Sequence, residues 1–178
     1  MDTKAAQQRV DEVRKQWGEG RTPSSKIPDN AVALLRIPEF GDDVEVAVMT
    51  GTSEDALNAG VGWFDHTAAP GAIGNFAVAG HRGASGPFVQ LLDLKPGARV
   101  VVETRKKIFI CALTSSAKDL TVDKSETWVI DPVPTPPGTE REAPEPTQAL
   151  ITLVTCRNFF HSPERSIAFG ELIETLTK

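Results

Sequence analysis

Short apolar stretches, each bounded by glycine, proline or polar turn residues, recur along most of the chain. Some alternate apolar with polar positions, the period of a half-buried strand, and others are continuous runs of β-branched and aliphatic residues. We predict β-strands over 31–38, 44–49, 75–80, 98–104, 107–113, 127–130, 149–156 and 166–176. The fourth and fifth of these predict a hairpin. Many short strands indicate an all-β sandwich or a closed barrel, and a closed barrel leaves no exposed edge.

A helical period appears at the start of the chain. Apolar side chains recur there every three or four positions, at Ala6, Val10, Val13 and Trp17. We predict an amphipathic helix over 3–17, which glycines end, and a Pro- and Ser-containing linker over 21–30. Ser53, with acidic residues after it, predicts the start of a second, short helix. The chain therefore divides into residues 1–30, the N-terminal helix and linker, and residues 31–178, one β domain.

Composition narrows the class of protein. Of the 178 residues, 40% are apolar and 24% are charged, as is ordinary for a globular domain. The formal net charge is -5 at pH 7 and no block of Lys or Arg stands out, which argues against a nucleic-acid partner. No run of eighteen apolar residues is present, and the N-terminus lacks the apolar core of a signal peptide. The proline-rich stretch 131–146 predicts a long surface loop.

The predicted strand 149–156 ends on a cysteine. Cys156 has a rigid apolar strand behind it and polar, turn-prone residues in front of it. Reactive thiolates are favoured in partly open, electropositive surroundings, and Arg157 and Arg165 lie close in sequence. The alternative is a small buried strand residue, which is our prediction for the second cysteine, Cys111. Two cysteines permit one disulfide without requiring it, and pairing them would remove the nucleophile.

Acyl transfer through a thiol also needs an acid/base and a positive hydrogen-bond donor for the oxyanion. Three histidines are available: His66 in a polar loop, His81 before a glycine-rich stretch, and His161, which is nearest to the thiol in sequence. Both His81 and His161 stay open on the residues alone. Arg157 is a weaker oxyanion donor than Arg165, because neighbours on an extended chain point to opposite faces.

Three segments resemble the signature segments of sortases. Thr152-Leu153-Val154-Thr155-Cys156 is similar to the TLxTC motif, and Arg165-Ser166-Ile167-Ala168-Phe169 resembles the strand that carries the sortase arginine. Upstream, Asn75-Phe76-Ala77-Val78-Ala79-Gly80-His81-Arg82 resembles the segment that supplies the sortase histidine. The three occur in the family's order. From about Leu34 to Leu176 the chain looks like a sortase, and most like the class E housekeeping type of actinobacteria.

The resemblance implies an eight-stranded sortase-type β-barrel and a cysteine transpeptidase. The implied residues are Cys156, His81 and Arg165 for catalysis, and Thr155, Val154 and Ala79 for substrate binding. In that family the cysteine attacks a peptide carbonyl, and the arginine stabilises the oxyanion. The histidine protonates the departing amine and later deprotonates the acceptor amine, so that a peptide is cut and rejoined through a thioester.

The implied substrate is a C-terminal sorting signal of the LPxTG or LAxTG kind, and the implied acceptor is an amine of a peptidoglycan precursor of the lipid II type. In class E a tyrosine after the histidine accompanies the alanine signal. This chain has no tyrosine, so both signals stay open. The family implies action at the extracellular face of the cell membrane, through an anchor that lies outside this chain, itself a soluble domain. We expect no cofactor and no metal, since the sequence has no Cys-x-x-Cys pair and no close histidine pair.

Three other functions stay open. A pilus-assembling sortase would use the same chemistry with a lysine of a protein subunit as the acceptor. A peptidase that only hydrolyses would show no rate gain with added amine. A β-barrel that binds a peptide or cell-wall fragment without chemistry would keep its binding after Cys156→Ala.

Overall fold

The computed structural model of the chain describes residues 3–21, 24, 30–83, 86–138, 144–156 and 163–178, with Cys156 described by its backbone alone. Within these ranges the strands are β1 (Ala31–Arg36), β2 (Glu45–Thr50), β3 (Gly60–Trp63), β4 (Gly74–Gly80), β5 (Arg99–Glu103), β6 (Lys107–Leu113), β7 (Thr121–Asp123), β8 (Ala149–Cys156) and β9 (Glu164–Thr177). The same ranges contain the helices α1 (Thr3–Gly18) and α2 (Glu54–Ala59), and 3-10 turns at Pro38–Phe40, Leu91–Asp93 and Trp128–Ile130.

Eight of these strands close into a barrel. The order around it is β6-β5-β1-β2-β3-β4-β8-β9, and the pairing of β9 with β6 completes the circle. The short strand β7 lies outside the circle and pairs with the first residues of β9. The prediction of a closed eight-stranded β-barrel is therefore confirmed, and the predicted hairpin is the antiparallel pair of β5 and β6.

Strand alternation divides the side chains of β8 between two apolar clusters. Ile151 and Leu153 are buried in the main core, together with side chains from the other barrel strands. Val154, the next residue along β8, belongs instead to a smaller cluster with Val122 and Ile167. The outer side of β8 therefore carries an apolar surface of its own, separate from the barrel interior.

The two helices follow the sequence pattern. The four apolar positions of the predicted N-terminal helix are the buried residues of α1, at Ala6, Val10, Val13 and Trp17. Val10, Val13 and Trp17 pack against the outer side of β1 and β2 and against Ala56 of α2. Helix α2 begins as predicted, because the Ser53 hydroxyl accepts a hydrogen bond of 3.1 Å from the amide of Ala56. The boundary between residues 1–30 and 31–178 stays a prediction.

The predicted strand 127–130 is wrong. Residues Trp128–Ile130 form a 3-10 turn instead, with hydrogen bonds from the amides of Ile130 and Asp131 to the carbonyls of Thr127 and Trp128. The run Thr-Trp-Val-Ile has high β-propensity, but propensity describes how side chains fit a pleated sheet and gives way to tertiary context. Here Val129 is buried in the cluster outside the barrel, and the segment pairs with no strand among the described residues.

Two strands were not predicted. Strand β3 contains two glycines and lacks an alternating pattern, because its backbone packs closely on β2: a Cβ at Gly60 would come within 2.2 Å of the Ala47 carbonyl oxygen. Strand β7 has three residues, too few for a periodic signal, and forms only because the start of β9 is available to pair with it.

Candidate active site

Backbone register brings three distant segments of the chain together at one end of the barrel. Strand β8 runs parallel to β4, with Thr155 opposite Gly80, and antiparallel to β9, with Cys156 opposite Arg165. His81 directly follows the last residue of β4, so its backbone lies beside the end of β8. Residues 81, 156 and 165 therefore occupy adjacent positions on three neighbouring chain segments.

Two contacts with Phe88 hold the backbone around His81. A Cβ at Gly80 would come within 2.6 Å of the Phe88 ring, so only glycine allows the strand end and this ring to pack as they do. The amide of Phe88 in turn donates to the carbonyl of His81 at 3.1 Å. The half-buried His81 thus leaves a rigid strand end and enters a loop that is tied back to it.

Arg165 is half-buried beside a rim of charged residues. Its Nη1 donates to the carbonyl of Glu164 at 3.0 Å. Hydrogen bonds from the hydroxyl and the amide of Ser125 hold the pKa of Asp123 below its usual range, and the positive charges of Lys124 and Arg165 act in the same direction. Asp123 is therefore a carboxylate at neutral pH, and the rim carries both signs of charge.

A cavity of about 270 Å³ adjoins Arg165. Its lining is mainly apolar, and its members come from β4, β7, β8, β9, α2 and the connecting segments. They are Thr52, Leu57, Phe64, Ala79, Val122, Asp123, Lys124, Glu126, Thr127, Val129, Ile130, Val154, Arg165 and Ile167. We call this cavity the groove. It is a surface cleft with an apolar floor and a charged rim, which suits an extended peptide with an aliphatic side chain.

Two of the three residues predicted to bind substrate, Val154 and Ala79, line the groove. Thr155 lies elsewhere: it is 2% exposed, and its hydroxyl donates to the carbonyl of Gly80 at 2.7 Å. This bond joins β8 to β4 immediately before Cys156 and His81. A substrate-binding role for Thr155 stays a prediction, and the hydroxyl has a positional role in addition.

The remaining candidate residues differ in their surroundings. His66 is exposed in a turn, with its ring edge-to-face against Phe64 at 6.4 Å between centroids. Cys111 is a free, buried thiol of β6, as predicted, and burial raises its pKa to about 12. The two remaining competitors, Arg157 and His161, lie outside the described residues.

Sequence reasoning missed most of the groove's apolar floor. Leu57 reaches the groove from α2, and Ile167 reaches it from β9. Neither position carries a local pattern that marks it as a binding residue, because each is brought to the groove only by closure of the barrel. Segment 119–128, which precedes the Cys156 strand in the chain, supplies part of the lining from Val122 to Thr127.

The described residues contain neither a metal-binding cluster nor a helix that could span a membrane. They contain no group of three His, Cys, Asp or Glu side chains arranged to hold a metal ion. None of the helices described is both long and apolar enough to cross a bilayer.

A closed barrel in which a strand-end cysteine position faces an arginine and adjoins a histidine is the arrangement expected of a thiol acyltransferase. Comparison with known proteins identifies the class. Residues 35–173 match the family model of the sortase domain, and the chain belongs to the sortase family, whose members are cell-surface cysteine transpeptidases.

The relatives include sortases of class E. Sortase SrtE1 of Streptomyces coelicolor is 36% identical over 178 residues, which cover 95% of this chain and 48% of that protein, so the chain spans about half the length of this relative. The structure of sortase E from Streptomyces avermitilis superposes with a TM-score of 0.71 at 31% identity, covering 85% of this chain and 93% of that one. Sortase E1 from Streptomyces coelicolor, solved with a tripeptide in the active site, has a TM-score of 0.67 at 34% identity, covering 83% of this chain and 90% of that one. The resemblance to class E sortases that the sequence motifs indicate is confirmed.

Proposed function

We propose that this chain is a cysteine transpeptidase that cleaves a C-terminal sorting signal and joins the carried protein to an amine of a peptidoglycan precursor. One observation carries the proposal: Cys156 and Arg165 are register partners on β8 and β9, and His81 follows the end of β4 beside them. Because sortases are cysteine transpeptidases, membership of that family supports acyl transfer by these three residues.

In the proposed first half-reaction, the Cys156 sulfur adds to the carbonyl carbon of the signal peptide. Arg165 stabilises the resulting oxyanion, since a positive donor aimed at developing negative charge lowers the barrier. The C–N bond then breaks, the amine leaves with a proton from His81, and a thioester remains on the enzyme.

In the proposed second half-reaction, an acceptor amine adds to the thioester carbonyl and His81 takes up its proton. The C–S bond breaks, and the Cys156 thiolate is released together with a new amide. Water can take the place of the amine, in which case the product is the free acid. The balance of the two half-reactions needs no cofactor.

The lining and volume of the groove suit a signal peptide that has an aliphatic residue before the scissile bond. Its apolar floor includes Val154, Val129 and Ile167, and its volume of about 270 Å³ holds a leucine-sized side chain with neighbouring backbone. The relative solved with a tripeptide in its active site supports a peptide substrate here as well. We propose an LAxTG or LPxTG signal, an acceptor of the lipid II type, and action at the extracellular face of the membrane.

The test is to incubate the protein with fluorogenic LAxTG and LPxTG peptides, with and without diaminopimelate, and to follow acyl-enzyme by intact mass. We expect a covalent adduct on the wild type but not on Cys156→Ala, and faster resolution into a ligated product when the amine is present. Equal turnover with and without amine would instead indicate a peptidase. Absence of any adduct from folded protein with a free thiol would contradict the proposal for these two signals.

A further inference from the structure

A buried amide lies between the barrel and the wall of the groove. Asn75, on β4, is 1% exposed, and Thr152, on the neighbouring strand β8, is fully buried. The Asn75 Nδ2 donates to the carbonyl of Asp131 at 2.9 Å and to the carbonyl of Val129 at 3.2 Å. Its Oδ1 accepts a hydrogen bond of 2.8 Å from the Thr152 hydroxyl. We call this pair the pin.

The orientation of the pin is set by its partners. Main-chain carbonyls only accept hydrogen bonds, so the amide nitrogen has to face them and the amide oxygen has to face Thr152. Both N–H groups and the oxygen of Asn75 are therefore used. A buried amide that lost these partners would be left without compensation for its desolvation, so the pin favours a single position of the carbonyls it holds.

The carbonyls it holds belong to the groove wall. They come from the 3-10 turn Trp128–Ile130 and the residue after it, and Thr127, Val129 and Ile130 of this segment line the groove. A single 3-10 turn has weak hydrogen-bond geometry and little stability of its own. Two further hydrogen bonds from a rigid barrel strand fix where this turn sits.

We propose that Asn75 and Thr152 are positioning residues that hold segment 127–131 as one wall of the groove, and thereby set affinity for the signal peptide rather than reactivity of the thiol. The peptide part of the inference rests on the proposed function. The anchoring part stands on the described contacts alone. Thr152 belongs to the same sequence motif as Cys156, so the motif serves two purposes: one end carries the thiol and the other holds the wall.

The test uses shape-preserving variants. Asn75→Asp keeps the volume but turns a carboxylate oxygen towards two carbonyl oxygens, and Thr152→Val removes only the hydroxyl. Thr152→Ser retains the hydroxyl and serves as the rescue variant. Asn58→Asp, at an exposed position of α2, is the matched control.

Hydrogen exchange of the peptide covering 127–131 measures the anchoring directly. We expect the amides of Ile130 and Asp131 to exchange about tenfold faster in Asn75→Asp, as for the loss of one or two buried hydrogen bonds, and less so in Thr152→Val. Thr152→Ser and Asn58→Asp should match the wild type. Unchanged exchange in folded Asn75→Asp would overturn the anchoring, and if that variant does not fold, unchanged exchange in Thr152→Val would do so.

Steady-state kinetics with the signal peptide measures the consequence. We expect KM to rise about tenfold in Asn75→Asp with kcat nearly unchanged, because weaker positioning of the wall removes uniform binding. A fall in kcat at constant KM would overturn the assignment to peptide affinity. If the wild type turns over neither peptide, the proposed function fails while the exchange experiment still decides the anchoring.

Discussion

The groove and the face that carries α1 are built on opposite principles. At the groove, positions are set by directional contacts: strand register, the Thr155 hydroxyl on the Gly80 carbonyl, and the Asn75 amide on the wall. At the α1 face, an apolar seam of Val10, Val13 and Trp17 packs on β1 and β2, and the exposed Arg14 adds a hydrogen bond of 2.6 Å to Glu45 of β2.

Charges at the edge of the α1 face add to this seam. Glu103 accepts hydrogen bonds from Arg14 at 3.3 Å and from Lys178 at 2.6 Å, and Lys178 also lies 4.7 Å from the centre of the Trp17 ring. The N-terminal helix and the last residue of the chain therefore meet on one carboxylate. Changes at the half-buried rim of the groove, as at Arg165, should therefore alter turnover at nearly constant stability, whereas changes at the α1 face should alter stability at nearly constant turnover.

The largest expected effect is on the groove side. Arg165→Ala should lower kcat/KM for the signal peptide about a hundred- to a thousandfold, the range for removing an oxyanion donor. Thermal unfolding should stay close to the wild type, because Arg165 is half-buried at a rim rather than in a core. Arg99→Ala, at an exposed position of β5, is the control and should leave both properties unchanged. Near-normal turnover by Arg165→Ala would show that Arg165 does not stabilise the oxyanion.

The largest effect on the α1 face should come from its tryptophan. Trp17 is 8% exposed, and Trp17→Ala truncates the largest side chain of the seam, so we expect about 3 kcal/mol of lost unfolding free energy. Urea unfolding followed by circular dichroism measures it, with the exposed Gln8→Ala of the same helix as the control. Turnover by the folded fraction should persist. Lost turnover at unchanged stability would show that the helix acts on the groove.

A smaller, pH-dependent effect is expected at Glu103. Burial raises the pKa of this carboxyl, but the hydrogen bonds from Lys178 and Arg14 outweigh it, so the pKa lies below its usual range. Its stabilisation is therefore present above the unfolded-state pKa and is lost as the pH falls through the lower folded-state pKa.

Glu103→Gln should accordingly reduce the unfolding free energy by about 1 kcal/mol at pH 7, and the two proteins should converge towards pH 3. Glu12→Gln, which alters an exposed pair within α1, is the matched control and should change stability by less than about 0.5 kcal/mol. A gap between wild type and Glu103→Gln that persisted at pH 3 would exclude the ion pairs as its cause.

The smallest effect is expected at Cys111, which belongs to neither face. With its pKa raised to about 12 by burial, the thiol is almost entirely protonated at pH 8. Folded Cys156→Ala should therefore resist iodoacetamide at pH 8 and react fully after addition of urea, as read by intact mass. Stoichiometric alkylation of the folded variant would show that Cys111 is reachable and that thiol labelling does not report on the groove alone.

Local sequence patterns predicted much of the fold. The period of α1, the Ser53 cap and the runs that became β4, β8 and β9 are properties of neighbouring residues, so they could be read without the structure. The 127–130 run could not, because a buried Val129 and an amide fifty-four positions away decide its conformation. Strand β3 was not predicted, because its close packing on β2 requires glycines, and these give no alternating hydrophobic pattern.

Three motifs in the right order, together with strand periods that suit a barrel, were enough to predict the class of protein from local residues alone. Tertiary structure alone decided which residues are neighbours, because register between β4, β8 and β9 is fixed by barrel closure and not by any local preference. It also decided that Thr152 and Thr155, both in one motif, are buried and bonded to β4, whereas Val154 between them lines the groove. Alternation places Thr152 and Val154 on one side of β8 and Thr155 on the other, and only the packed barrel shows which of these side chains lines the groove.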